Sequence, residues 1–319
     1  MSQSSEQIQH SALRCNIALA SDPATLQTAV QILASGGLVA IPTETVYGLG
    51  AAINNEISVA KIFAVKGRPQ DHPLIVHIAD IKQLNDIAID IPFDAIKLAQ
   101  ACWPGPLTIL LKRNSHISAD ITGGRETVAV RVPDNAFTRQ LITALGSPIA
   151  APSANRFGKV SPTTAQHVCD DLQTDVDLIV DDGNCSIGVE STIIDFTASH
   201  PQLLRPGGFP VEDIESIIGG KVHEPSGDAR ASGMLASHYS PDCRVVLVQD
   251  MDEALALHTS TPHSRILEHS GNYPLYAASL YAQMRQADID KMAVIIAVLP
   301  LNSGLGSAIR DRLTKASFL

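Results

Sequence analysis

Short apolar runs alternate with segments of helical periodicity from residue 23 to residue 218, and this alternation restricts the fold more than any other feature. The runs LVAIP, PLIVHI and TVAVRVP are rich in aliphatic residues, which is typical of strands buried on both faces of a sheet. The segments EISVAKIFAVK, FDAIKLAQAC and AFTRQLITAL repeat apolar residues at helical spacing. We therefore predict an α/β domain. Its sheet should be mixed, because the later runs STIIDF and QLLRP follow each other without a helix between them.

Local signals mark where individual helices begin and end. Asp22-Pro23 predicts the start of one helix, and Gly36-Gly37 predicts its end. Ser161 is the expected cap of a later helix within SPTTAQHVCDDL.

Residues 219–241 separate two parts of the chain. Their sequence, GGKVHEPSGDARASGMLASHYSP, is rich in Gly, Ser and Pro, which is typical of a linker. Residues 242–319 contain CRVVLVQ, PLYAASLYAQMRQADI, MAVIIAVLP and SAIRDRLTKA, which predict a small second α/β unit. We therefore divide the chain into a main domain at 1–218, a linker at 219–241 and a small domain at 242–319.

Composition and charge exclude several classes of protein. Hydrophobic residues make up 45% of the chain and charged residues 18%, so a substantial core can form and a disordered protein is excluded. A formal net charge of −10 argues against broad nucleic-acid binding, although it permits a local basic pocket. The five cysteines include no CxxC pair, which favours free buried thiols and disfavours structural zinc. The polar start and the lack of a long apolar run predict a cytoplasmic protein without a membrane span.

Hydroxyl, amide and basic side chains collect in the loops beside the apolar strands, where α/β sheets usually bind ligands. Arg131 is the most informative of them. It lies in a strand among Val128, Val130 and Val132, and an arginine in such apolar surroundings needs an anionic partner.

Structural explanations remain open for the other candidates. Thr43 and Thr45 are compatible with an ordinary turn, and Lys66 is compatible with a charge that complements a helix end. His72 and His77 lack a nearby third ligand, which favours hydrogen-bonded histidines over zinc ligands.

The usual nucleotide and hydrolase motifs are missing. The chain has no GxxxxGK[ST] phosphate loop, no complete GxGxxG fingerprint, no GxSxG elbow and no HExxH. A nucleotide would therefore be bound by a less common arrangement, without a side-chain nucleophile.

Seven segments nevertheless occur in an order that resembles the threonylcarbamoyl-adenylate synthases of the Sua5/YrdC/YwlC type. They are PTETVYGLG, KGRPQDHPLIVHI, WPGPLTILL, VAVRVP, APSANRFGKVSPT, GVESTIID and LLRPG, and they cover most of residues 25–215. The linker sequence GMLASHYSP and the small domain resemble the two-domain, Sua5-like form. The resemblance implies a twisted mixed sheet of the YrdC type around a basic cavity, with a smaller Rossmann-like domain after it.

The resemblance also implies an activity. Members of this family are nucleotidyltransferases that join L-threonine, bicarbonate or CO2 and ATP to give L-threonylcarbamoyladenylate and pyrophosphate. The product serves the threonylcarbamoyl modification of adenosine 37 in tRNA. The implied helper is Mg2+ that enters with ATP, and the implied partner is the downstream tRNA threonylcarbamoyl transferase machinery, with direct contact to tRNA left open.

The same resemblance assigns residues to the two substrates. L-threonine is expected near Thr43, Thr45, His77, Arg131, Ala151 and Ser191. ATP is expected near Lys66, Arg68, His72, Thr127, Ser153, Asn155, Ser161, Arg205 and Tyr239. Lys66 and Arg68 would stabilise charge, and no side chain is expected to bind a metal. Many family members carry Asn where this chain has His72.

Two points remain open at this stage. Tyr239 either folds with the linker over the nucleotide or anchors the linker on the second domain. The function also has alternatives, namely a double-stranded RNA or tRNA-binding module and a related carbamoyltransferase that forms a carbamoyl-adenylate.

Overall fold

The computed structural model describes residues 15–226, 230–231, 233–234, 239–269 and 271–318. The strands of these residues are β1 (Ile17–Leu19), β2 (Val39–Ile41), β3 (Gly48–Ala52), β4 (Ile75–His77), β5 (Ala88–Ile89), β6 (Leu107–Arg113), β7 (Thr127–Arg131), β8 (Ile149–Ala150), β9 (Leu178–Asp181), β10 (Thr192–Asp195), β11 (Gln202–Arg205), β12 (Arg244–Val248), β13 (Ser264–Leu267) and β14 (Val294–Val298). The α-helices are α1 (Pro23–Ala34), α2 (Glu56–Lys66), α3 (Leu84–Ile87), α4 (Phe93–Cys102), α5 (Ala119–Thr122), α6 (Ala136–Leu145), α7 (Ala165–Leu172), α8 (Val211–Ile218), α9 (Met251–Ser260), α10 (Tyr273–Ile289) and α11 (Leu305–Ser317).

The predicted start of α1 is confirmed, whereas the predicted cap of α7 is wrong. The Asp22 carboxylate accepts a hydrogen bond from Ala24 N, which caps α1 as predicted. The cap of α7 is Thr164, whose hydroxyl accepts from His167 N at 3.1 Å. Ser161 is therefore not a helix cap; its hydroxyl donates to Glu190 instead.

The first eleven strands form one mixed sheet, in the order β1-β9-β2-β3-β8-β4-β7-β6-β10-β11 with β5 beside β6. Strand β4 pairs in parallel with β7, whereas β6 and β7 are antiparallel. Strand β3 was not predicted, because its sequence GLGAA has no β-branched residue. A Cβ atom on its Gly50 would lie 3.0 Å from Ile149 Cγ2 and 3.1 Å from Val39 O, so close packing explains this glycine.

The last three strands form a separate parallel sheet in the order β12-β14-β13, which packs with α9, α10 and α11. Its core contains Leu280 and Ile309 and continues to Val160 and Val189 of the larger part of the chain. The predicted fold class, a large mixed α/β sheet with a smaller α/β unit, is confirmed.

Cys15 and Cys169 form a disulfide with their Cα atoms 5.8 Å apart, which corrects the prediction that every cysteine is a free thiol. The two residues are 154 positions apart, and the fold places the start of β1 beside α7. Cys102, Cys185 and Cys243 are free and buried. Among the described residues, no helix has the length and apolar character that crossing a membrane would require.

Candidate active site

A cavity of about 50 Å³ lies between the large sheet, the linker and the loops that precede β10. Ten of the predicted residues line it: Thr43, Thr45, Arg68, His77, Arg131, Ala151, Ser153, Ser191, Arg205 and Tyr239. Glu190 and Gly233 also line it, although the sequence analysis assigned no role to either. A larger cavity of about 620 Å³, between α8 and α11, is lined by none of the predicted residues. The smaller cavity is therefore the candidate active site.

Two adjacent strands position the residues at one end of this cavity. In the parallel pair of β4 and β7, His77 and Arg131 occupy matching positions. Arg131 Nη1 donates to Thr45 Oγ1 at 2.8 Å, and Thr45 Oγ1 lies 2.9 Å from Thr43 Oγ1. Four side chains from three separate segments of the chain are thus brought to one end of the cavity.

The anionic partner that Arg131 requires is Glu44, which the sequence analysis missed. Arg131 Nη2 lies 2.6 Å from Glu44 Oε1, and the side chains are 4% and 8% exposed. Glu44 stands between Thr43 and Thr45 in the same motif, so its proximity in sequence was the available signal. Glu44 does not itself line the cavity; it lies behind Arg131 and compensates the buried charge.

His77 contributes a neutral imidazole. Burial, and then the positive charge of Arg131, lower the pKa of His77 to about 3. Its Nδ1 lies 3.2 Å from Ile75 O, within hydrogen-bonding distance. At neutral pH the ring can therefore take part in hydrogen bonds without adding a charge.

Elsewhere in the cavity wall, Arg205 contacts Ser191 directly. Its Nε donates to Ser191 O at 3.0 Å and its Nη2 to Ser191 Oγ at 3.1 Å. The sequence analysis placed Arg205 with ATP and Ser191 with threonine. Their contact means that the two expected subsites adjoin.

Lys66 supports the cavity from behind its wall. Its Nζ donates to the backbone oxygens of Ser153 at 2.6 Å and Asn155 at 2.5 Å. Burial, followed by the charge of Arg68, lowers the pKa of Lys66 well below its usual range. Lys66 therefore holds the loop that carries Ser153.

Arg68 reaches the cavity from the other side of that loop. It donates to Pro73 O at 3.0 Å, and its guanidinium lies 5.7 Å from the centre of the Phe157 ring. Burial lowers the pKa of Arg68 to about 10, so it stays charged at neutral pH.

Four other predicted residues are not brought into the cavity wall that the described residues form. His72 is half-buried, with a pKa lowered first by burial, and Thr127 is half-buried at the start of β7. The Asn155 amide donates to the backbone of its own loop, and Ser161 donates to Glu190 Oε1 at 2.6 Å.

Glu190 is a second buried carboxylate. Its Oε2 lies 2.6 Å from Arg312 Nε and accepts from the Tyr281 hydroxyl at 2.8 Å. Burial alone would raise the pKa of Glu190, but Arg312, Arg205 and the hydrogen bond from Ser161 lower it to about 2. Glu190 is therefore ionised in the cavity wall, and two of its partners come from the second domain.

The linker contributes Gly233 and Tyr239. The Tyr239 ring stacks on Tyr281 with 5.8 Å between ring centres, and the Arg312 guanidinium lies 5.0 Å from the centre of the same ring. Tyr239 thus lines the cavity and contacts the second domain at the same time. Residues 235–238, which belong to the expected lid sequence, lie outside the described residues.

The electrostatic character of the cavity suits anions. Among the described residues that line it are three guanidinium groups, those of Arg68, Arg131 and Arg205, and one carboxylate, that of Glu190. Within the described residues there is no cluster of three His, Cys, Asp or Glu side chains able to hold a metal ion. The arrangement can bind two anionic groups side by side and stabilise the charge that moves between them.

Comparisons with known proteins agree with this geometry. A family model described as "Telomere recombination" (Sua5_yciO_yrdC) matches residues 31–207, and one described as "Threonylcarbamoyl-AMP synthase, C-terminal domain" matches residues 209–317. A threonylcarbamoyl-AMP synthase of Pyrococcus abyssi is 42% identical over 92% of this chain and 94% of its own length. One of Bacillus subtilis is 40% identical over 93% of both. A crystal structure of Pyrococcus abyssi Sua5 with L-threonine superposes with a TM-score of 0.87 at 40% identity, covering 92% of this chain and 94% of that one.

Proposed function

The chain belongs to the threonylcarbamoyl-AMP synthase family, and we propose that its cavity joins L-threonine, bicarbonate or CO2 and ATP to give L-threonylcarbamoyladenylate and pyrophosphate. The family predicted from the seven sequence segments is confirmed. The protein is an enzyme of the nucleotidyl-transfer type that uses ATP as a substrate. Family membership over both parts of the chain favours this activity over an RNA-binding module or a carbamoyltransferase.

The observation that carries the proposal is the meeting of ten predicted residues in one cavity with three arginines. Each substrate offers an anionic group for the enzyme to bind, since threonine has a carboxylate and ATP has a triphosphate. A site with adjoining basic groups can bring the two anions together against their mutual repulsion.

We propose that the threonine carboxylate binds Arg131, with Thr43, Thr45 and His77 around the rest of the amino acid. The guanidinium can accept a carboxylate as a bidentate ligand, and the nearby hydroxyl groups can hydrogen-bond the threonine hydroxyl. The backbone at Ala151 and the Ser191 hydroxyl complete this subsite.

We propose that ATP binds beside Arg205, Arg68 and Ser153. Lys66 supports the Ser153 loop. It lies close enough to Arg68 for the positive charge of Arg68 to lower the pKa of Lys66. His72, Thr127, Asn155 and Ser161 are proposed for the outer part of this subsite, which the described wall does not include.

The chemistry needs no nucleophilic side chain. The threonine amine adds to CO2 and loses a proton to give a carbamate, and a carbamate oxygen then attacks the α-phosphorus of ATP. A new P–O bond forms as the bond to the leaving pyrophosphate breaks. The enzyme's contribution is to align the anions and to neutralise the charge on pyrophosphate with Arg68 and Arg205, while Lys66 holds the Ser153 loop in place rather than stabilising charge directly.

Mg2+ is proposed to enter as part of the ATP substrate. The carboxylate in the cavity wall, Glu190, is already bound to Arg312, Tyr281 and Ser161. The other polar side chains around the cavity are mainly cationic or hydroxyl groups, which are poor ligands for Mg2+. The site therefore fits a metal that is bound by the phosphate oxygens of ATP rather than by the protein.

We propose that the linker acts as a lid. A cavity of about 50 Å³ is smaller than the roughly 300–1,000 Å³ of pockets that enclose organic ligands of ordinary size. Gly233 and Tyr239 close one side of it, so this side has to withdraw to admit ATP. In this scheme residues 1–218 form the catalytic domain, residues 219–241 the lid and residues 242–319 the small domain.

The product is a mixed anhydride that hydrolyses readily, so a nearby consumer is expected. We propose that the enzyme works in the cytoplasm and supplies a tRNA threonylcarbamoyl transferase, for modification of adenosine 37. The test is to supply 13C-bicarbonate with ATP and L-threonine and to follow the label by mass spectrometry. Label in a product with the mass of threonylcarbamoyl-AMP supports the proposal, and ATP consumption without a labelled adenylate contradicts it.

A further inference from the structure

We propose that Arg312, in the last helix of the second domain, is a positioning residue for the ATP side of the cavity. The inference rests on the proposed function, because it assigns the Arg205 side of the cavity to ATP. It gives the second domain a part in the reaction that goes beyond covering the larger domain.

Arg312 is fully buried, with 0% of its surface exposed. Its Nε lies 2.6 Å from Glu190 Oε2, and its Nη1 donates to Pro206 O at 3.0 Å. Pro206 directly follows Arg205, and Glu190 directly precedes Ser191. One guanidinium therefore holds the two chain segments that carry the Arg205–Ser191 contact.

The same guanidinium also determines the surroundings of Glu190. The carboxylate accepts from Ser161 on one oxygen and from Tyr281 on both, while Arg312 supplies its closest charge. Without Arg312, the carboxylate loses the largest of the interactions that keep it ionised against burial, and protonation becomes easier. Arg205 would then lose a neighbouring negative charge, and Ser161 would lose its ionised acceptor.

The linker is held by the same helix. The Arg312 guanidinium lies 5.0 Å from the centre of the Tyr239 ring, within the distance of a cation–π contact. One turn further along, Lys315 Nζ donates to Gly233 O at 2.6 Å. Helix α11 therefore contacts both linker residues that line the cavity.

Stability alone does not explain this arrangement. A buried ion pair is often no more stabilising than apolar residues of similar size. Arg312 Nη2 also finds no hydrogen-bond acceptor among the described residues, which adds to the cost of burying the charge. What an apolar pair cannot supply is an ionised Glu190 with fixed oxygens beside Arg205.

The test compares Arg312→Met with Arg265→Met. Arg265 belongs to the same domain and forms an ion pair with Asp290 at 2.5 Å, and neither residue lines the cavity. Both substitutions remove an arginine from an ion pair, and of the two arginines it is Arg312 that contacts the segments carrying Arg205 and Ser191. ATP binding, the KM values for ATP and threonine, and the melting temperature are measured for each variant.

We expect Arg312→Met to weaken ATP binding about tenfold or more, as the loss of one charged contact does, with a much smaller change in the KM for threonine. Arg265→Met should lower the melting temperature slightly and leave ATP binding nearly unchanged. Equal ATP affinity in wild type and Arg312→Met would overturn the inference. An equal loss of affinity for ATP and for threonine in both variants would also overturn the inference.

A second variant separates a loss of ATP affinity from a loss of folding stability. The double substitution Glu190→Gln with Arg312→Met removes both charges of this ion pair and leaves Asp311, the other carboxylate beside Arg312, paired with Lys315. It should therefore recover stability relative to Arg312→Met alone. A double variant that also recovers wild-type ATP affinity would reduce Arg312 to a structural role. Because ATP binding is measured directly, wild type that binds no ATP would refute the proposed function instead.

Discussion

Arg131 Nη2 lies 2.6 Å from Glu44 Oε1, and both side chains are buried beside the cavity. The ion pair explains how an arginine can stand in an apolar strand before any substrate arrives. It also means that a substrate carboxylate meets a cation that already has a counter-ion. In the proposed site, affinity for threonine therefore depends on how Arg131 is shared between Glu44 and the ligand.

Replacement of Arg131 by Ala should weaken L-threonine binding by roughly 10- to 150-fold, since a hydrogen bond to a charged group contributes about 1.5–3 kcal/mol. Isothermal titration of threonine into the folded variant measures the change. Arg139→Ala is the control, because Arg139, which lies on α6, pairs with Asp134 and does not line the cavity. An unchanged threonine Kd in Arg131→Ala would refute the assignment of this residue.

Replacement of Glu44 by Gln should destabilise the fold by about 3–5 kcal/mol, because it leaves the Arg131 charge buried without its counter-ion. A threonine carboxylate can then compensate that charge. We therefore expect saturating threonine to raise the melting temperature of the variant by more than it raises that of wild type. An equal or smaller shift would show that Glu44 does not compete for Arg131.

Replacement of Gly233 by Ala should weaken ATP binding. The added Cβ would lie 2.7 Å from the Tyr239 hydroxyl and 2.9 Å from Arg205 Cδ, so both side chains must shift. Gly219→Ala is the matched control: Gly219 also has positive φ, but a Cβ added there would meet nothing within 4 Å. Equal ATP affinities of the two variants would contradict the contact that we describe between the linker and Arg205.

Acid should remove the stabilisation that Glu190 provides. Its pKa is about 2 in the folded protein against an ordinary 4.5, so the stabilisation is complete above the ordinary value and is lost as the pH falls towards 2. The shift corresponds to about 3 kcal/mol. Unfolding free energies of wild type and Glu190→Gln, measured in urea between about pH 6 and pH 3, should converge as the pH falls. A constant difference between them would mean that the pKa of Glu190 is the same in the folded and unfolded states.

The sequence predicted the parts of the fold that depend on neighbouring residues. The cap at Asp22 and the apolar spacing of α2 are local signals, and each corresponds to an observed element. The glycine-rich β3 escaped prediction because its strand conformation follows from packing between β2 and β8 rather than from its own residues.

The candidate site, too, was predictable from local sequence only in part. The need of Arg131 for an anion followed from its apolar neighbours, but the choice of Glu44 required the fold of the loop. Glu190 and Arg312 are 122 positions apart, and Cys15 and Cys169 are 154 apart. No periodicity or motif links such positions; only the three-dimensional fold brings them into contact.

Pyrophosphate release from ATP tests the central claim most directly. The assay compares L-threonine, L-serine and no amino acid, each with and without bicarbonate. A cavity that binds threonine beside ATP predicts rapid release only when L-threonine and bicarbonate are both present. Equal release without threonine would contradict the claim that the two substrates react in this cavity.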